Sequence, residues 1–147
     1  MNRKKRAKGI VVEHELLNSK AFRELKRQSL YVLFKLLQRR KMEKVSIGKH
    51  KGSWRVINNG EIVFTYKEAA KYGIKPQAFS RAIGQLVAVG FLDIAIPGTG
   101  ICGATTKFSL SERWQKYGTD EFITVKRKQR IGYKFPTRKQ FPNCGKA

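Results

Sequence analysis

The stretch from Glu61 to Pro97, EIVFTYKEAAKYGIKPQAFSRAIGQLVAVGFLDIAIP, constrains the fold more than any other part of the chain. It opens with alternating apolar residues, Ile62, Phe64 and Tyr66, which predict a short half-buried strand. A helical run, KEAAKY, follows, and Gly73 ends it as glycine commonly does at a helix C-terminus. Pro76 suits the first turn of a second helix, where a missing N–H costs nothing. Phe79, Ile83, Leu86 and Val87 then recur at helical spacing until Gly90 stops the run. Phe91 to Ile96 is apolar and partly β-branched, so a strand comes next. The local pattern is strand, helix, tight turn, helix, strand.

The chemistry of this stretch lies on the side of the second helix (about 76–89) that faces away from the core. At about 100° per residue, with Phe79 inward, Ile83, Leu86 and Gly90 share the core side. Gln77, Ala78, Arg81, Gly84, Gln85 and Ala88 point outward, with Ser80 near the edge. That face carries no carboxylate, whereas a plain solvated helix more often carries Glu and Lys in i,i+4 pairs. Arg bonds guanine edges, Gln bonds adenine edges, and small residues let a helix lie deep in a major groove. Gln77, Arg81 and Gln85 are therefore the candidate base readers.

Charge points the same way. Thirty-two Lys and Arg stand against ten Asp and Glu, a formal net charge of +22. Such an excess repels itself unless a polyanion neutralises it, which makes nucleic acid the leading partner class. More than half of the excess sits in two acid-free ends: Arg3, Lys4, Lys5, Arg6 and Lys8, then Lys126, Arg127, Lys128, Arg130, Lys134, Arg138, Lys139 and Lys146. These divide the chain into a basic disordered arm (1–8), one domain (9–125) and a basic disordered tail (126–147). No apolar run approaches the roughly 20 residues of a membrane span, so no membrane role is expected. Cys102 and Cys144 lack metal-ligand spacing and read as free thiols of a cytoplasmic protein. His14 and His50 are isolated, so neither a metal nor a cofactor is expected.

Outside the central stretch, GIVVEHELL (9–17) reads equally as a strand or a docking arm. Asn18 or Ser19 is a plausible N-cap for an apolar segment from Ala21 to Lys41. That segment is either one long helix or a short helix and a longer one, broken near Gln28-Ser29. SLYVLFKLL is apolar nearly all round, which fits a central core helix or a homodimer interface. Residues 42–59 read as a polar, flexible connection ending in a strand at Trp54–Ile57. The turn signal Asn58-Asn59-Gly60 predicts a hairpin joining that strand to Ile62–Tyr66. Leu92–Ile96 and Lys107–Leu110 predict a second hairpin whose link, PGTGICGATT, is rich in Gly and Thr. GTGICG leads into no helix and no Gly-Lys-Ser/Thr, so it is no phosphate loop. SERWQKYG predicts a short capped helix with Trp114 and Tyr117 folded onto the core, and Phe122–Val125 a last strand.

The run Ile-Lys-Pro-Gln-Ala-Phe-Ser-Arg-Ala-Ile (74–83), followed by Leu-Val-x-x-Gly-Phe-Leu-Asp-Ile (86–94), resembles the winged helix-turn-helix superfamily of bacterial and phage DNA-binding proteins. It is similar to MarR-like regulators and to plasmid or phage replication initiators, and the wider layout resembles small proteins of bacterial mobile elements. The resemblance covers a quarter to a half of the chain and is specific for the fold but weak for the biological role. It implies an α+β fold: one winged helix-turn-helix domain with an N-terminal core helix and a β-hairpin wing at about 92–110. In such a fold the wing approaches DNA backbone or the minor groove. Thr99, Thr105, Thr106 and Lys107 then become candidate phosphate contacts, alongside Lys67, Lys71, Lys75 and Ser80 on the helix pair. Gly84 departs from a good helix former in the middle of the helix.

Two functions follow as expectations. One is a DNA-binding protein reading duplex DNA in transcription regulation or in plasmid or phage replication. The other is an RNA-binding or architectural protein that uses the same basic platform without sequence preference. An enzyme is not expected, because the carboxylates are scattered singly and no nucleophile–base motif is present.

Overall fold

The computed structural model describes residues 9–49, 51–98 and 105–127. The arm at 1–8, His50, Thr99, both cysteines and the tail from Lys128 lie outside the described residues. In order, the elements are α1 (His14–Asn18), α2 (Lys20–Arg23), α3 (Arg27–Gln38), β1 (Met42–Lys44) and β2 (Trp54–Val56). Then come β3 (Ile62–Val63), α4 (Tyr66–Lys71), α5 (Pro76–Val89), β4 (Leu92–Ile96), β5 (Lys107–Leu110) and a 3-10 turn at Arg113–Lys116. The fold is α+β, with two antiparallel sheets among the described residues: a ribbon of β1 and β2, and a three-stranded sheet in the order β3-β5-β4.

The core forms where α3 and α5 cross and the three-stranded sheet closes one side. Val32, Leu33, Leu36 and Leu37 of α3 meet Phe79, Ile83, Leu86 and Val87 of α5, with Ile62, Leu92 and Phe108 from the sheet. Leu30 and Phe34 pack partly against the same cluster, while Tyr31 of the same helix stays exposed. Of the two helical readings of 21–41, the broken one is found, but the break falls at Glu24–Lys26 and not at Gln28-Ser29. Ser19 is the N-cap of α2, its Oγ accepting from the Phe22 N–H at 3.1 Å. Of the two readings of 9–17 no strand is found: His14–Asn18 is helical, and Val12 and Leu16 pack against the core as a docking arm would.

Local signals placed the central elements well. Thr65 and Glu68 make a capping box at the start of α4, each side chain bonding the other's backbone N–H. The Thr-x-x-Glu pattern was readable in the sequence, and it makes Tyr66 helical and not the end of a strand. At its far end the Ile74 and Gly73 N–H groups bond the carbonyls of Ala69 and Ala70, and buried Ile74 seals the turn. Gly90 ends α5 at φ +93, and a Cβ there would lie 2.8 Å from the Trp114 nitrogen. Two requirements, a left-handed backbone and close approach, thus fall on one glycine. Trp114 stacks on Phe91 with ring centroids 5.6 Å apart, as its predicted inward packing requires.

Strand pairing departed from expectation at one place. β2 pairs with β1 (Met42↔Val56, Lys44↔Trp54) and not with β3, which pairs with β5 (Ile62↔Phe108). The predicted hairpin across Asn58-Asn59-Gly60 is absent, although a turn closes there through Glu61 N–H and the Asn58 carbonyl. Its asparagines join other elements instead. Asn58 bonds Lys41 N–H and the Arg39 carbonyl, and Asn59 bonds both backbone groups of Leu110. The predicted β4–β5 hairpin is found with the expected bounds, irregular in register between Ile94 and Ile96. Phe122–Val125 forms no strand.

Candidate nucleic-acid interface

Because Phe79, Ala82, Ile83, Leu86, Val87 and Val89 are all buried, the rotation of α5 about its axis is fixed. What remains outside is a stripe of Gln77, Arg81, Gly84 and Ala88, spanning about 60° of the helix circumference. Gln77, Arg81 and Ala88 are exposed. Among the described residues neither the Gln77 nor the Arg81 side chain makes a hydrogen bond. At the centre of the stripe a Cβ added to Gly84 would meet nothing within 4 Å. The helix therefore carries a mid-helix glycine, about 1 kcal/mol worse than alanine, with no packing reason among the described residues.

Gln85 does not belong to this stripe, which corrects the expectation that it reads bases. Its Nε2 donates to the Glu24 carbonyl at 2.9 Å. Its Oε1 accepts from the Ser29 hydroxyl at 2.6 Å and from the Lys26 N–H at 3.1 Å. Lys26 is the N-cap position of α3, so the amide bridges α5 to the start of the core helix. The buried arc of α5 is broader on that flank than Phe79 alone implies, because α3 lies there.

On the opposite flank, Ser80 is half-buried, and its carbonyl and Oγ each accept from the Arg127 guanidinium at 3.2 Å. Sequence reasoning assigned Arg127 to a disordered tail, yet it lies against α5 and brings a cation to the edge of the stripe. No local pattern marked it, since the bond spans 47 residues. Ser80 keeps only its hydroxyl hydrogen for an outside acceptor.

The charges around the stripe share one sign. Lys67, Lys71 and Lys75 are exposed on α4 and at the start of α5. From Tyr66 to Val89 the sole acid is Glu68, and its carboxylate is already held. Arg39 donates to both of its oxygens, at 3.0 and 3.2 Å, and the Thr65 N–H adds a third bond at 2.9 Å. Hydrogen bonding to Arg39, then to the Thr65 backbone, holds the Glu68 carboxyl below the usual carboxylate range. Of the β4–β5 hairpin residues, Thr105 is exposed, Lys107 is half-buried, and Thr106 Oγ1 accepts from the Gly98 N–H at 3.1 Å. Thr99 cannot be placed, being outside the described residues.

Among the described residues no group of His, Cys, Asp and Glu could hold a metal ion, and no helix is long and apolar enough to cross a membrane. No family model, curated protein or solved structure matches this chain.

Proposed function

We propose that this is a winged-helix DNA-binding protein that inserts α5 into the major groove of duplex DNA. The reading is carried by the acid-free stripe Gln77–Arg81–Gly84–Ala88 on a helix whose orientation the core fixes. The helix–strand–helix–helix–hairpin order and the β3-β5-β4 sheet support it, since a wing at the end of the second helix needs that connectivity. Arg81 and Gln77 read base edges. Lys67, Lys71, Lys75 and Arg127 hold phosphates on either side, with Thr105, Thr106 and Lys107 of the hairpin as further backbone contacts. Gly84 lets the helix backbone approach the groove. The biological setting that fits best is transcription regulation or plasmid or phage replication.

The test is titration of labelled duplex from the gene's own upstream region against random duplex and single-stranded RNA, at two salt concentrations. Preference for the upstream duplex that persists at the higher salt is expected. Arg81→Ala should then cost about 1–3 kcal/mol at the cognate site and relax specificity there. Equal, salt-sensitive binding to all three nucleic acids would instead mark a general binder of RNA and DNA.

A further inference from the structure

The β1–β2 ribbon is the part of the fold that the helix pair and its hairpin leave unexplained. All of β1 and most of β2 are solvent-exposed, on both faces. An isolated two-stranded ribbon is marginal in water, and a sheet normally turns one face to a core. This one instead exposes apolar side chains: Trp54 is 63% exposed, and Ile47, near its tip, is 85% exposed. Around them stand Lys41, Lys44, Lys49, Lys51 and Arg55 against the single acid Glu43, which Arg55 already holds at 2.9 Å.

Although exposed, the ribbon is built to a defined shape. Val45 N–H bonds the Ser53 carbonyl and Gly52 N–H the Val45 carbonyl, each at 2.8 Å. Lys51 N–H bonds the Gly48 carbonyl at 3.1 Å, and Gly48 and Gly52 both take positive φ to close the tip. The base is fastened as well. Asn58 clasps Lys41 N–H and the Arg39 carbonyl, and the Arg39 guanidinium reaches both Val63 and Glu68 at the start of α4. One residue thus ties the root of the ribbon to the helix pair proposed to read DNA.

We propose that the ribbon, residues 41–49 and 51–57, is a second DNA-contacting arm that enters the minor groove, with Ile47 against the bases and Lys44, Lys49 and Lys51 on the flanking phosphates. The inference rests on the duplex-DNA reading above. Minor-groove proteins combine cations with an apolar wedge that unstacks a base step and bends the duplex, and the tip carries both. β1 (Met42–Lys44) alone reaches about 10 Å, more than the roughly 7.5 Å depth of a minor groove, and the tip lies beyond it. A second copy of the chain is a poor occupant. The lysines that would make phosphate contacts also set two like-charged edges against each other.

The experiment compares the full chain with Ile47→Ser and with Lys49→Ala/Lys51→Ala on one 30-bp duplex of random sequence, labelled at both ends. Affinity is read against salt, bending by energy transfer between the ends, and folding by thermal melting. All the substituted side chains are exposed, so unchanged melting is expected. The lysine double variant should reduce the magnitude of the slope of log affinity against log salt by about 2. Ile47→Ser should reduce the bend and leave the slope unchanged. If the parent chain prefers duplex to single-stranded RNA but neither variant alters slope or bend, the ribbon proposal fails and the reading of α5 stands. If the parent chain shows no duplex preference, the duplex reading itself fails and takes the ribbon's role with it. Loss of self-association in the variants, with DNA binding intact, would make the ribbon a contact between copies and overturn the proposal.

Discussion

At the scale of single residues, two polar side chains separate what holds the fold from what faces outward. Gln85 makes three hydrogen bonds to the start of α3 and its preceding turn. Gln85→Ala should lower stability by about 1 kcal/mol in urea melts, chiefly because it leaves the buried Ser29 hydroxyl without its partner. The ratio of affinities for preferred and random duplex should stay as it was; a changed ratio would return Gln85 to the base-reading face. Glu68 gives a pH signature. Its folded carboxyl is depressed by Arg39, so its contribution is complete above the unfolded carboxylate range and is lost as pH falls through the depressed value. Glu68→Gln should therefore flatten the acid side of the melting-temperature profile below about pH 4.5, relative to the parent chain. An unchanged profile would show that other carboxylates set the acid limb. Gln85's true role was hidden because a helical wheel knows only its own helix. The neighbour that turns the residue inward begins 58 residues earlier, at Arg27.

Among the elements, α4, α5, β4 and β5 were legible because their stops are local: Gly73, Pro76 and Gly90 punctuate the chain whatever packs around it. Pairing partners were not. Trp54–Val56 carries the same pattern whether it meets Met42–Lys44 or Ile62–Val63, and the Asn side chains that decide the matter bond residues far away in sequence. The candidate helix face was legible apart from its flanks, where Gln85 turns in and Arg127 arrives. Gly84 provides the sharpest test of that face. Gly84→Ala finds open space, so it should stabilise the chain by about 1 kcal/mol through helix propensity alone. If the face enters a groove, the same methyl should weaken duplex binding, so that stability and affinity move in opposite directions. Affinity that is unchanged, or that rises with stability, would remove the backbone approach from the proposal.

For the whole molecule, a charge of +22 dominates. Only five acids have a hydrogen-bonded partner side chain outside their own helix start among the described residues: Glu24, Glu43, Glu68, Asp93 and Glu121. Self-repulsion therefore opposes the compact state. Raising salt from about 10 to 200 mM should raise the melting temperature of the unbound protein, as the Debye length shrinks from about 30 Å to below 10 Å. A melting temperature that is flat or falls with salt would mean that attractive pairs outweigh the repulsion. The bridge from Gln85 to the beginning of α3 also sets an order of events during synthesis. The ribosome completes Leu36 long before it reaches Leu86, and at ordinary elongation rates of about 5–20 residues per second the interval is roughly 3–10 s. Throughout that time a core helix of the chain exists without the helix that covers it. Lys26 and Arg27 at one end and Arg39, Arg40 and Lys41 at the other bracket it with like charge. The same residues that border the finished helix thus act as gatekeepers, keeping nascent chains on one message from sticking together while they wait.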